Sequence, residues 1–230
     1  MLFRDDDEEL EVLPFADRGE AGRMLAGKLQ EYADRPEVIV LGLPRGGMPV
    51  ASAVSGALRV PLDVFVVVKI GTPGQPELAL GAVAEGGIQV LDLSLVQVVG
   101  LEQSEVEEVT EAARRELDSR TIAYRANGEL HELAGQMVIL VDDGIATGCS
   151  ILAAIAGTRR EGAARVVVAV PVAPASGCNA IRMEADEFVA VAEPEEFLAV
   201  SQWYEDFAQV RDEDVRQLLR KAGRIIHQAA

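Results

Sequence analysis

The residues best placed to do chemistry are Asp142 and Asp143, an adjacent acid pair that closes the apolar run Val138-Ile139-Leu140-Val141. An apolar run ending abruptly in charge reads as a strand buried on both faces, as in a parallel sheet. The acids then fall at the strand's carboxyl end, the edge at which open α/β sheets bind ligands. A small-residue loop follows, Ala146-Thr147-Gly148-Cys149-Ser150, and the apolar segment from Ile151 to Ile155 begins a helix behind it. Backbone N–H groups and two hydroxyls in such a loop can wrap an anion, and the positive end of the helix faces the same anion. One strand end therefore offers a phosphate cradle beside two carboxylates. A ligand carrying both a phosphate and a diol or metal fits that layout. A Walker-type loop does not fit, because Gly148-Cys149-Ser150 lacks the Gly-Lys-Ser/Thr ending. Taken alone, the segment also reads as an ordinary strand-to-helix turn with a solvated acid pair.

Two more strand ends carry residues of the right type. Gly42-Leu43-Pro44-Arg45-Gly46-Gly47 follows a run of apolar residues. Its glycines let backbone N–H groups approach a ligand, and Arg45 can pair bidentately with phosphate oxygens. Lys69 closes the run Val64-Phe65-Val66-Val67-Val68 and so points to the same edge, although a lysine there is often only a snorkelling end residue.

The stretch Val138–Ser150 resembles the 5-phosphoribosyl-1-pyrophosphate (PRPP) motif of the type I phosphoribosyltransferases. It matches at every position except Gly144, where most of those enzymes carry an apolar residue. The resemblance implies that Asp142 and Asp143 hold the ribose hydroxyls and that Ala146, Thr147, Gly148, Cys149 and Ser150 hold the 5-phosphate. It further implies that Arg45, Gly46, Gly47 and Lys69 meet the pyrophosphate, with Arg45-Gly46 matching the strained peptide often found there. Mg²⁺ would come mainly with PRPP, touching Asp142 and Asp143 through water. Lys69 to Gly87 and Trp203 to Val215 resemble one branch of the family whose acceptor is unassigned. The implied activity is transfer of the 5-phosphoribosyl group to a nitrogen acceptor with release of pyrophosphate, in a protein that is usually a homodimer. A PRPP-binding regulator and a hydrolase of PRPP or a related sugar phosphate are the alternatives. One departure stands out: the segment from Gly71 to Glu77, where several family members carry a loop cation, has none. Arg114, Arg115, Arg120 and Arg125 could supply it, though pairing with acids of their own helix is the plainer role.

The elements that must position these residues alternate strand and helix, which argues for a central parallel sheet wound with helices. Asp17 can cap a first helix with Ala21, Leu25, Leu29 and Tyr32 on one apolar face. Strands are expected at Val38–Leu43, Leu62–Val68, Val138–Val141, Arg165–Val170 and Glu187–Val191. Helices are expected at about Pro49–Leu58, Glu102–Arg125 and Ala175–Met183, with a helical tail after Trp203. The Gly/Pro-rich segment from Gly71 to Pro76 reads as a mobile cover, and Ala79–Ala84 with Ile88–Leu91 as a hairpin. The whole chain, 1–230, reads as a single domain with its core at about 37–192 and a small cap made from the two ends.

A 230-residue chain that is 49% hydrophobic can bury a substantial core. No apolar run reaches the ~20 residues of a membrane span, and Met1–Glu11 is acidic where a secretory leader is basic, so a cytoplasmic location is expected. A net charge of −17 repels phosphodiester backbones, which argues against nucleic-acid partners. It also means that an anionic substrate needs local cations or Mg²⁺. Cys149 and Cys178 suggest no disulfide framework, and Cys149 reads as a small buried filler. His131 and His227 read as surface residues, and Trp203, Tyr204 and Phe207 as packing.

Overall fold

Alternation of strand and helix is what the chain adopts. The structure, a computed structural model, describes residues 14–125 and 131–229. In chain order, α1 (Arg18–Lys28) precedes β1 (Val38–Gly42) and α2 (Gly47–Leu58). Then come β2 (Leu62–Val64), β3 (Val67–Thr72), β4 (Gln75–Ala84) and β5 (Ile88–Leu91). Helices α3 (Leu93–Val99) and α4 (Gln103–Tyr124) lead to β6 (Met137–Val141) and α5 (Cys149–Arg160). β7 (Arg165–Val172), α6 (Asn179–Glu184), β8 (Glu187–Ala192) and α7 (Asp212–Ala229) follow. β2, β1, β6, β7 and β8, in that spatial order, form a parallel sheet, and β3-β4-β5 form a separate antiparallel sheet.

The centre of the parallel sheet is buried on both faces because β1 and β6 are apolar at every position, and strand alternation sorts their side chains. Val38, Val40, Ile139, Val141, Val167 and Ala169 pack with Leu25 of α1 and with Met48, Val50 and Val54 of α2. Their neighbours Ile39, Leu41, Val138, Leu140, Val166 and Val168 pack on the other side against Ile151, Ala154 and Ile155 of α5. Asp17 caps α1 as expected, its Oδ1 accepting from the Glu20 N–H at 2.8 Å.

Leu62–Val68 is not one strand. The Phe65 N–H still donates to Gly42 O of β1, but Val66 O accepts from the Glu85 N–H, so the chain passes from one sheet to the other there. Lys69 consequently sits inside β3, exposed between buried Val68 and Ile70, and does not close a strand of the parallel sheet. Nor is Gly71–Pro76 an open loop. Thr72 pairs with Gln75, leaving Pro73 and Gly74 as a two-residue turn in which Gly74 takes φ +76. Proline followed by a glycine of positive φ is the type II turn signature. The tail differs too: residues 200–203 form a short 3-10 turn, 204–211 are not helical, and α7 starts only at Asp212. α6 starts at Asn179, four residues later than expected, and α3 is an additional helix.

The segment before α1 meets the tail around Tyr204. The Phe15 N–H donates to Trp203 O at 2.9 Å, the Glu205 N–H donates to Phe15 O at 2.8 Å, and the Phe15 ring packs on Tyr204. Met1–Glu11 lies outside the described residues. Among the described residues no helix is long and apolar enough to cross a membrane.

His131 is exposed, as expected, and it has a partner. Its Nδ1 lies 3.1 Å from Asp63 Oδ2, and that contact raises its pKa above the ordinary value of 6.5, against an opposing effect of burial. The folded state therefore binds the proton more tightly than the unfolded chain. The resulting stabilisation is complete below pH 6.5 and is lost as pH rises through the folded pKa. Asp63→Asn is expected to flatten the dependence of the urea midpoint on pH between about 6 and 8. The His227 side chain lies outside the described residues.

Candidate active site

Gly42 at the end of β1 pairs with Val141 at the end of β6. Between these two strands the topology reverses: from β1 the chain steps outward to β2, then returns across β1 to β6. Crevices at such switch points, beyond the carboxyl ends of the strands, are where open α/β sheets take ligands. A cleft of about 810 Å³ opens there.

The loop after β6 forms one wall, with Ile145, Ala146, Thr147, Gly148 and Ser150 lining the cleft. Gly148 is the N-cap of α5 with φ +80, a torsion that disfavours any residue with a Cβ. No side chain caps α5, so the N–H groups of its first turn are left for another acceptor. Cys149 is the small buried filler expected from the sequence. It is only 8% exposed and packs in the core with Ile151 and Ile181, leaving only its backbone to serve a ligand.

Asp142 and Asp143 form the floor. Burial, and then the charge of Asp143, push the Asp142 carboxyl well above the ordinary carboxylate range. Burial raises Asp143 as well, and the nearby Arg18 guanidinium opposes that shift. Arg18 escaped the sequence reading altogether. Its Nε donates to Asp143 Oδ2 at 2.8 Å and its Nη1 donates to Ala208 O at 2.9 Å. The guanidinium also lies 3.8 Å from the centre of the Phe207 ring. Tyr204 is buried and its hydroxyl donates to Asp143 O at 2.6 Å. The aromatics of the tail are thus packing groups, as expected, and they lock the acid pair from behind.

The turn after β1 forms the opposite wall. Leu43, Pro44, Arg45 and Gly46 line the cleft, and the peptide between Pro44 and Arg45 is cis. That bond is one earlier than the Arg45-Gly46 peptide singled out in the sequence, and Gly46 has helical torsions ahead of α2. Gly46 lies so close to Asp143 that an added Cβ would sit 2.0 Å from Oδ2. Gly47 does not line the cleft; it lets α2 approach β6, since a Cβ there would meet Val141 O at 2.7 Å. Lys69 reaches the cleft from β3, and its charge favours the ionised forms of both acids.

Of the four arginines considered for the missing loop cation, Arg115 pairs with Glu111 and Arg120 with Glu116 along α4. Arg114 donates to Gln89 and Arg125 to Glu85.

Residues 16–201 match the phosphoribosyl transferase domain family. The chain belongs to that family. Two proteins of Mycobacterium tuberculosis, from strains CDC 1551 / Oshkosh and ATCC 25618 / H37Rv, are each 43% identical to it over 210 residues. Both are named provisionally as phosphoribosyl transferases. The match covers 91% of this chain and 47% of each relative, so the chain spans about half their length. The crystal structure of TT1426 from Thermus thermophilus is 43% identical, with a TM-score of 0.74 over 91% of this chain and 99% of that one. AQ2163 from Aquifex aeolicus, at 11% identity and a TM-score of 0.51 over 83% of this chain and 85% of its own, shares the fold.

Within this phosphoribosyltransferase domain the departure at Gly144 has a physical cause. A Cβ on Gly144 would lie 2.6 Å from Val200 Cγ1 and 3.1 Å from Val172 Cγ1. Val200 of the tail and Val172 thus fill the space beside Gly144. Gly144→Ala should destabilise the domain by about 1–3 kcal/mol through overpacking. Val200→Ala in the same chain should recover most of that loss, as urea unfolding of the single and double variants would show.

Proposed function

We propose that this phosphoribosyltransferase domain moves the 5-phosphoribosyl group from PRPP to a nitrogen acceptor and releases pyrophosphate. The observation that carries the reading is the convergence, at one switch point, of an uncapped helix start, an acid pair and an arginine-bearing glycine turn. Each matches a different part of PRPP. The N–H groups of the loop from Ala146 to Ser150 and the Thr147 and Ser150 hydroxyls take the 5-phosphate. Asp142 and Asp143 accept hydrogen bonds from the ribose hydroxyls, which fixes C1 relative to both walls. Arg45, the Gly46 N–H and Lys69 face the pyrophosphate.

The reaction is displacement at C1. The acceptor nitrogen forms its bond to C1 while the C1–O bond to pyrophosphate breaks, and the oxygen leaves with the bonding electrons. Positive charge develops on the ribose ring, and the acid pair below it favours that charge. Negative charge develops on the leaving group, and Arg45 and Lys69 stabilise it. No side chain has to act as a nucleophile.

Members of this family generally use PRPP with Mg²⁺. The donor set fits an ion that arrives with its substrate. Among the described residues no group of three or more His, Cys, Asp or Glu side chains could hold a metal, whereas Asp142 and Asp143 offer two carboxylates. Mg²⁺ takes oxygen ligands and is commonly held by one or two carboxylates plus substrate phosphates. When bound, it would neutralise charge on the pyrophosphate oxygens. Engagement of Asp143 by Arg18 leaves Asp142 as the freer ligand.

Around this cleft, the segments before about residue 37 and after about 192 serve as the cap that reads the acceptor. Val200, Ser201, Phe207 and Gln209 face the cleft from the tail, which supports that role. The test is release of pyrophosphate from PRPP in the presence of Mg²⁺ and panels of purines, pyrimidines and other amines. Release that depends on one acceptor, with a matching N-riboside 5-phosphate product, supports transfer. Acceptor-independent release would identify a hydrolase, and tight binding without release a regulator.

A further inference from the structure

The β3–β4 turn carries no cation, and a chain of net charge −17 still has to attract a polyanion. Arg120 answers both points. It projects from α4 into the same cleft as Arg45 and Lys69, and its side chain is 23% exposed. Its Nη2 lies 2.5 Å from Glu116 Oε1, one turn earlier on the same helix, and Glu116 also lines the cleft. Arg45 is held in a parallel way: its Nη1 is 4.0 Å from Asp212 Oδ1, the oxygen that accepts the Tyr124 hydroxyl. The charges of Arg45 and Arg120 both act on that hydroxyl.

Each cation thus rests against a carboxylate that a phosphate could replace. A half-exposed pair four residues apart on a helix is a weak interaction. A guanidinium facing pyrophosphate makes shorter, paired, charge-assisted bonds with more negative charge. The exchange favours the ligand. We propose that Arg120 is the pyrophosphate-binding cation missing from the turn, held by Glu116 until PRPP displaces that carboxylate. This inference rests on the transferase reading of the cleft and gives α4 a part in it.

Calorimetric titrations of wild type, Arg120→Ala and Glu116→Gln with PRPP plus Mg²⁺ and, separately, with ribose 5-phosphate test it. Ribose 5-phosphate carries the sugar and 5-phosphate but no pyrophosphate. Arg120→Ala should weaken PRPP about 10- to 100-fold and leave ribose 5-phosphate within about twofold, the span expected for losing a charge-assisted phosphate contact. Glu116→Gln, which frees Arg120 from its competitor, should tighten PRPP by about twofold or more. Alanine is the best helix former and the lost i,i+4 pair is a weak one, so both variants should fold as wild type does. Unchanged PRPP affinity in Arg120→Ala, or equal weakening of both ligands, would overturn the role given to Arg120. Wild type that binds ribose 5-phosphate but not PRPP would overturn the transferase reading and this inference with it.

Discussion

Asp142→Asn combined with Asp143→Asn is expected to cut phosphoribosyl transfer by about 10³-fold or more, the scale at which preorganised electrostatic groups act on a transition state. Asp142→Asn alone should melt no lower than wild type, because Asp143 stays in place as the ion partner of Arg18. Burial already pushes both carboxyls up, Asp142 most, and the two charges oppose each other. Asparagine at 142 keeps the shape while removing that electrostatic cost. Loss of activity with unchanged or raised stability separates a functional acid pair from a structural one. A variant that loses both together would show that the pair serves the fold.

Arg18→Ala should have the opposite profile. Arg18 and Asp143 are 10% and 14% exposed and 2.8 Å apart, and Arg18 also ties the tail through Ala208 O and the Phe207 ring. Removing one partner of a covered ion pair leaves a charge with little solvent, at a cost of about 3 kcal/mol. For a chain of this size that corresponds to a fall in Tm of about 6–12 °C. The deficit should shrink on acidification. Without Arg18, nothing opposes the upward shift of Asp143 as strongly, so the folded state holds that proton to a higher pH than the unfolded chain. Stability of the variant is then retained at low pH and lost as pH rises through the folded pKa. Arg18→Lys keeps the charge but neither the forked donor nor the flat ring contact, and should recover only part of the loss. Thermal melts of wild type and both variants at about pH 5 and 8 would measure this.

The sequence exposed the acid pair and the phosphate loop because their arrangement is local. Strand, acids, small loop and helix follow one another within Val138–Ile155, and each residue type has its own torsional or hydrogen-bonding reason to be there. Arg18 was hidden for the converse reason. Its partner lies 125 residues away, and beside Asp17 it looks like any solvated residue of a first helical turn. The run from Leu62 to Val68 misled because a strand buried between helices and one buried in a second sheet are equally apolar. Only the backbone hydrogen bonds of Phe65 and Val66 reveal the change of sheet. In the tail, the spacing of Trp203, Tyr204 and Phe207 imitates a helix, while Asp212-Glu213-Asp214 is the true helix-start signal. Gly144 was visible as a departure, but its cause, Val200, is a long-range packing partner.

The most direct measurement is a calorimetric titration of the purified protein with PRPP, with and without Mg²⁺, beside the double asparagine variant. A cleft that holds PRPP by its acid pair and its glycine turns should give micromolar, Mg²⁺-dependent binding in wild type and none in the variant. Absence of binding by folded wild-type protein, or equal binding by the two, would contradict it.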